Sequence, residues 1–90
     1  MTDAEILPSN VEIAAARMDL WCATSVLANV AYWMRAHAGV PQTASVWYAH
    51  PVLQQRAENG DRTAARKLAE FDQAATAYEG ARVALADLTQ

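Results

Sequence analysis

The placement of the helix breakers constrains this chain more than any other feature. Its only prolines and glycines are Pro8, Gly39, Pro41, Pro51, Gly60 and Gly80, and between them run stretches in which nothing stops a helix. Alanine, the strongest helix former, fills 21 of the 90 positions, against three glycines and three prolines, the weakest. An all-α chain is therefore expected, forming one domain over residues 1–90 with residues 1–8 as an N-terminal lead segment.

The breakers divide the chain into three helices. Ser9-Asn10-Val11-Glu12 fits a capping box, in which Ser9 accepts from the Glu12 amide and the Glu12 carboxylate reaches back, while Pro8 blocks any earlier helix from running through. A first helix over about 10–38 is predicted, roughly 42 Å long. Gly39 supplies its left-handed closing residue, with Arg35 and His37 in the last turn and Pro41 beyond. A shorter middle helix is expected over about 43–59, capped by Thr43. It should be kinked or broken at Pro51, which could open a second half-helix, because proline removes an amide and disfavours helical backbone at His50. Gly60 ends it and Asp61 caps a third helix over about 62–88. In that helix Ala64, Leu68, Phe71, Ala75, Tyr78, Ala81, Leu85 and Leu88 make one apolar stripe, and the charged residues face away. Gly80 lies inside the helix at a cost of about 1 kcal/mol relative to alanine, which suggests a close helix–helix contact or a slight bend.

The first helix carries more apolar surface than one core can use. From Leu20 to Gln55 the only permanently charged residue is Arg35. Ile13, Leu20, Leu27 and Met34 recur every seven residues, with Ala16, Ala23 and Val30 between them, and form one complete buried seam. Round the helix stands a second apolar face: Met18, Trp21, Ala28, Tyr32 and Ala36, with Cys22 and Trp33 beside it. Arg17, Thr24 and Arg35 border that face on one edge and Asp19 on the other. A membrane span is excluded on length, because Leu20–Met34 is shorter than the ~20 residues a span needs and contains Thr24, Ser25 and Asn29. Two further helical segments, one of them short, can satisfy one seam. The second face is expected to meet another copy of the chain, giving a homodimer and a larger bundle, or else another protein.

Chemical motifs are weak by comparison. Cys22 and His37 are about 22 Å apart along one helix and cannot share an ion, so no metal and no cofactor is expected. His37 reads as a helix-end cation and His50 as a turn residue. Cys22, flanked by Trp21 and Ala23, has no base beside it, and no serine-nucleophile, phosphate-loop or zinc-protease motif occurs. Arg56, Arg62, Arg66 and Lys67 cluster near Gly60. The helix-turn-helix alignment fails, because it would place Gln55, Asn59, Asp61 and Arg66 at positions that must be buried and apolar. With a net charge of −3, no nucleic-acid partner is expected.

The aromatic residues Trp21, Tyr32, Trp33, Trp47 and Tyr48 are the candidate partner-binding set. The expected function is a non-enzymatic protein–protein interaction module: a self-associating adaptor, assembly factor or small inhibitor of a larger machine. A small-molecule-binding bundle with an aromatic-lined pocket, using Asn29, Ser25 and His50 as polar handles, is the alternative; a small enzyme or enzyme subunit is the third. The acidic start and the single cysteine predict a cytoplasmic location.

Overall fold

A computed structural model describes residues 9–90; the lead segment 1–8, with Pro8, lies outside the described residues. Three helices follow one another: α1 (Asn10–Ala38), α2 (Val46–Glu58) and α3 (Arg62–Thr89). The fold is all-α, as expected, and the two long helices begin and end within a residue of their predicted bounds.

Local chemistry sets these ends. Ser9 is extended (φ −72°, ψ 159°) and its Oγ accepts from the Glu12 amide at 3.1 Å. Gly39, at φ 74°, turns the chain left-handed. Its amide donates to the Ala36 carbonyl (3.3 Å) and that of Val40 to the Arg35 carbonyl (2.9 Å), the paired closure that satisfies orphan carbonyls. Gly60, at φ 96°, repeats this closure for α2 through Gly60 to Ala57 (3.0 Å) and Asp61 to Arg56 (2.9 Å). Asp61 then caps α3, its Oδ1 accepting from the Ala64 amide at 3.0 Å. One residue thus closes α2 with its backbone and opens α3 with its side chain.

The middle helix departs from expectation. It is capped by Ser45, whose Oγ accepts from the Trp47 amide at 3.2 Å, rather than by Thr43; a turn from Pro41 to Ala44 precedes it. It also runs unbroken through Pro51, so no second half-helix starts there. Only the one ladder bond that an amide at position 51 would have donated to the Trp47 carbonyl is forfeited. Pro51 and Trp47 are both exposed, so water can reach that carbonyl. His50 is consequently a helical residue, not a turn residue.

α1 and α3 lie side by side in opposite directions, Val26 and Val30 beside Ala74 and Ala77. Met34, Ala49, Leu53 and Ala64 are completely buried where α2 crosses one end of this pair. Val30, Ala38, Phe71 and Ala74 complete the core, and Leu27, Val46, Val52 and Leu68 pack on its margin. The seven-residue seam of α1 and the apolar stripe of α3 are the inward faces, as their spacing predicted. Their burial is graded, however. Away from α2, where only two helices meet, Ile13, Leu20, Leu85 and Leu88 are half-buried, and of the described residues there Ala16 alone is buried. Gly80 lies in this thinner part, and a Cβ built on it would meet nothing within 4 Å. It therefore marks no close helix contact, the first of the two readings of its position.

Polar bonds tie the α2 end together. His37 Nε2 lies 3.1 Å from Asp61 Oδ2, joining the last turn of α1 to the cap of α3. Arg56 donates to the His37 carbonyl, Arg35 Nε to the Ala44 carbonyl (2.7 Å) and Gln42 Nε2 to the Tyr32 carbonyl (2.9 Å). The Asp61 carboxyl is held below its ordinary range, chiefly by the Ala64 amide and next by the hydrogen bond to His37.

Candidate protein-binding face

Because α1 buries the side centred on Met34, the residues half a turn away are turned outward. At 100° per residue the outer strip runs Ala14, Met18, Trp21, Cys22, Ser25, Ala28, Asn29, Tyr32, Trp33 and Ala36. All ten are exposed. Four of them are large: Trp21 keeps 67% of its surface accessible, Met18 59%, Trp33 50% and Tyr32 49%. Tyr32 and Trp33 meet edge to face at 5.2 Å between centroids and interplanar 89°, which holds both rings at the upper end of the strip.

No fixed charge interrupts the strip. Its centre is more apolar than its composition suggests, because Ser25 Oγ donates to the Trp21 carbonyl at 3.0 Å. On the border, Thr24 Oγ1 donates to the Leu20 carbonyl at 2.7 Å. Both hydroxyls thereby use their donors within the helix. Asn29 keeps a free side-chain amide at the centre of the strip, and the indole N–H groups of Trp21 and Trp33 and the Tyr32 hydroxyl are likewise without partners among the described residues. Arg17 and Arg35 stand on the edge nearer α2 and Asp19 on the opposite edge, where the sequence placed them.

The structure does not gather the five predicted partner-binding residues at one place. Trp21, Tyr32 and Trp33 share the outer strip of α1. Trp47 belongs to a different neighbourhood on α2, its ring edge-on to Phe71 (5.4 Å, 90°) and 5.5 Å from His50, with His50 and Phe71 6.2 Å apart. Both Trp47 and Tyr48 remain largely exposed. Beside Trp47 runs an open apolar groove lined by Thr24, Leu27, Ala31, Phe71, Ala75 and Tyr78 among others, below the point where α2 begins. Phe71 and Tyr78, which the sequence reading assigned to the core stripe, thus also face a groove. No periodicity argument reveals this, because it depends on how far α2 extends along the α1–α3 pair.

The polar handles proposed for a ligand pocket do not converge. Ser25 lies on the outer strip, and Asn29 borders the opposite groove, beside Val26, Glu70 and Gln73. His50 stacks near Trp47. Among the described residues no polar or charged side chain is buried, and no three His, Cys, Asp or Glu side chains group together. Of the basic cluster near Gly60, Arg66 and Lys67 pair with Glu70 (3.7 and 3.6 Å), and Arg56 is spent on the His37 carbonyl. Cys22 is a free, exposed thiol. None of the described helices is long and apolar enough to cross a membrane. The chain matches no protein-family profile, no characterised protein and no solved structure.

Proposed function

We propose that this protein is a non-enzymatic interaction module whose outer α1 strip is a helix-binding surface, with a second copy of the chain as its first partner. Such a module acts as an adaptor, an assembly factor or an inhibitor of a larger protein machine. One observation carries the reading: an uninterrupted, charge-free strip from Ala14 to Ala36 bears three aromatics and a methionine, each about half exposed or more, on the side of α1 that its own fold does not use. The aromatics alone present on the order of 350 Å². With Met18, Cys22 and the alanines, the strip approaches the roughly 800 Å² per partner of a stable interface. Aromatic and methionine side chains are also those enriched at the desolvated centres of such interfaces. A cytoplasmic setting accords with this reading, since a reducing compartment keeps exposed Cys22 from cross-linking at random.

A small apolar ligand in the Trp47–Phe71–Tyr78 groove is the second reading. It ranks lower because the groove holds no buried polar group to orient a ligand.

Charge substitution on the two faces of α1 tests the first reading. Trp21→Glu and Trp33→Glu are expected to leave the helical circular-dichroism signal intact and to reduce the sedimenting mass to that of one chain, because each puts an unpaired charge into the seam. Leu27→Glu, and more severely Met34→Glu, should unfold the protein, since both belong to the inward face. If the Trp21 and Trp33 variants unfold as readily as the Met34 variant, the outer strip is not a docking surface.

A further inference from the structure

We infer that the second copy binds antiparallel along α1, with the two-fold axis passing between Ser25 and Asn29, so that the three-helix end of each copy lies beside the two-helix end of the other. This rests on the reading of the outer strip as a protein-binding face. It adds the direction and register of the contact.

The first argument is the symmetry of the strip about position 27. Met18 and Ala36 lie on its midline about 13 Å to either side of that position, Trp21 and Tyr32 lie on the edge nearer α2, and Cys22 and Trp33 lie on the opposite edge. A two-fold axis perpendicular to a helix pair brings like edges together with the axial order reversed. Met18 then meets Ala36 of the second copy, Trp21 meets Tyr32, Cys22 meets Trp33 and Ser25 meets Asn29. Two pairs set a large side chain against a small one, one sets aromatic against aromatic, and the central pair gives the Asn29 amide a hydroxyl oxygen to donate to. The small central residues let the helix axes approach, and the single unspent asparagine is the kind of polar residue that fixes register in an otherwise apolar seam.

Thickness gives the second argument. α2 and the turn over 40–45 sit on one edge of α1 near its C-terminal end, held by Gln42 to Tyr32 and by Arg35 to Ala44. The same edge near the N-terminal end, around Ala14, Arg17 and Trp21, has no third helix beside it. Antiparallel pairing sets the thick end of one copy against the thin end of the other. A parallel pair would instead bring both 40–45 turns to one end, each against Trp33 of the other copy, and leave the other end thin. At the rim, Arg17 comes to the C-terminal end of the second copy's α1, the negative end of its helix dipole. The one like-charge approach, Arg17 to Arg35, lies at the rim, and Arg35 is already turned onto the Ala44 carbonyl.

Disulfide trapping tests this in a Cys22→Ser background carrying Met18→Cys or Ala36→Cys, both at exposed positions. In the antiparallel register the two copies' position-18 side chains are about 27 Å apart along the axis, whereas positions 18 and 36 face each other within disulfide reach. With oxidised glutathione as the two-electron acceptor, a mixture of the two variants is expected to form a dimer linked 18 to 36, and either variant alone is not. A covalent dimer from Met18→Cys alone would mean parallel pairing and overturn the inference. Sedimentation of the same reduced proteins separates the two failures. A dimeric mass without an 18–36 bond overturns the register only, whereas the mass of one chain at every concentration overturns self-association as well.

Discussion

The two ends of this molecule are built from the same helices and hold them differently. Where α2 crosses, Met34, Ala49, Leu53 and Ala64 lose all contact with water, and two bonds, His37 to Asp61 and Arg56 to the His37 carbonyl, draw the three helices together. At the far end α1 and α3 continue as a bare pair, and residues as apolar as Ile13, Leu20, Leu85 and Leu88 keep part of their surface in water. A two-helix pair has no third side with which to enclose a leucine, so periodicity that is complete in sequence yields burial that is incomplete in space. The thin end and the unused strip of α1 therefore belong to one problem, and the antiparallel second copy proposed above would address both.

The largest effect should come from breaking the thick end. Leu53→Ala removes a completely buried side chain from a site walled by three helices and is expected to cost about 3 kcal/mol in denaturant unfolding. Leu85→Ala makes the same deletion at the thin end and should cost about 1 kcal/mol, because less transfer energy is lost and no closed cavity is left. Equal costs would show that the two ends are equally enclosed and remove the contrast.

The thin end can also be strengthened without touching its packing. Gly80 is helical with open space where a Cβ would stand, so Gly80→Ala should raise stability by about 1 kcal/mol through helix propensity alone. A loss of stability on that substitution would reveal a contact at Gly80 that this fold does not contain.

A smaller, pH-dependent effect belongs to the thick end. The Asp61 carboxyl, held below its ordinary value by the Ala64 amide and then by His37, stabilises the folded chain above the unfolded carboxylate pKa of about 3.9. That contribution is lost as pH falls through the lowered folded value. The thermal midpoint should therefore drop on acidification below about pH 4. The drop should be shallower in Asp61→Asn, which keeps a cap at α3 but carries no titrating carboxylate.

What was legible in the sequence follows the same division. Ser9, Gly39, Gly60 and Asp61 act within a turn of their own backbone, so the helix ends could be read directly, and the seam through Leu27 and Met34 follows from spacing. In the middle helix the cap was misplaced, Ser45 standing where Thr43 was expected, and of the kink or break expected at Pro51 the break does not occur, because the proline forfeits a single, solvent-reachable bond. The His37–Asp61 contact and the Trp47–His50–Phe71 group join residues far apart in the chain, and no local pattern announces either. The candidate site was half legible. Trp21, Tyr32 and Trp33 fell together on the outer strip, while Trp47 and Tyr48 belong to α2, whose placement required the fold.

Sedimentation equilibrium of the unmodified protein, run as a dilution series through the micromolar range, tests the central claim most directly. One chain weighs 9.8 kDa. The account predicts twice that mass at the higher concentrations, falling towards a single chain on dilution as the outer strips of α1 part. A mass of one chain throughout the series would contradict it.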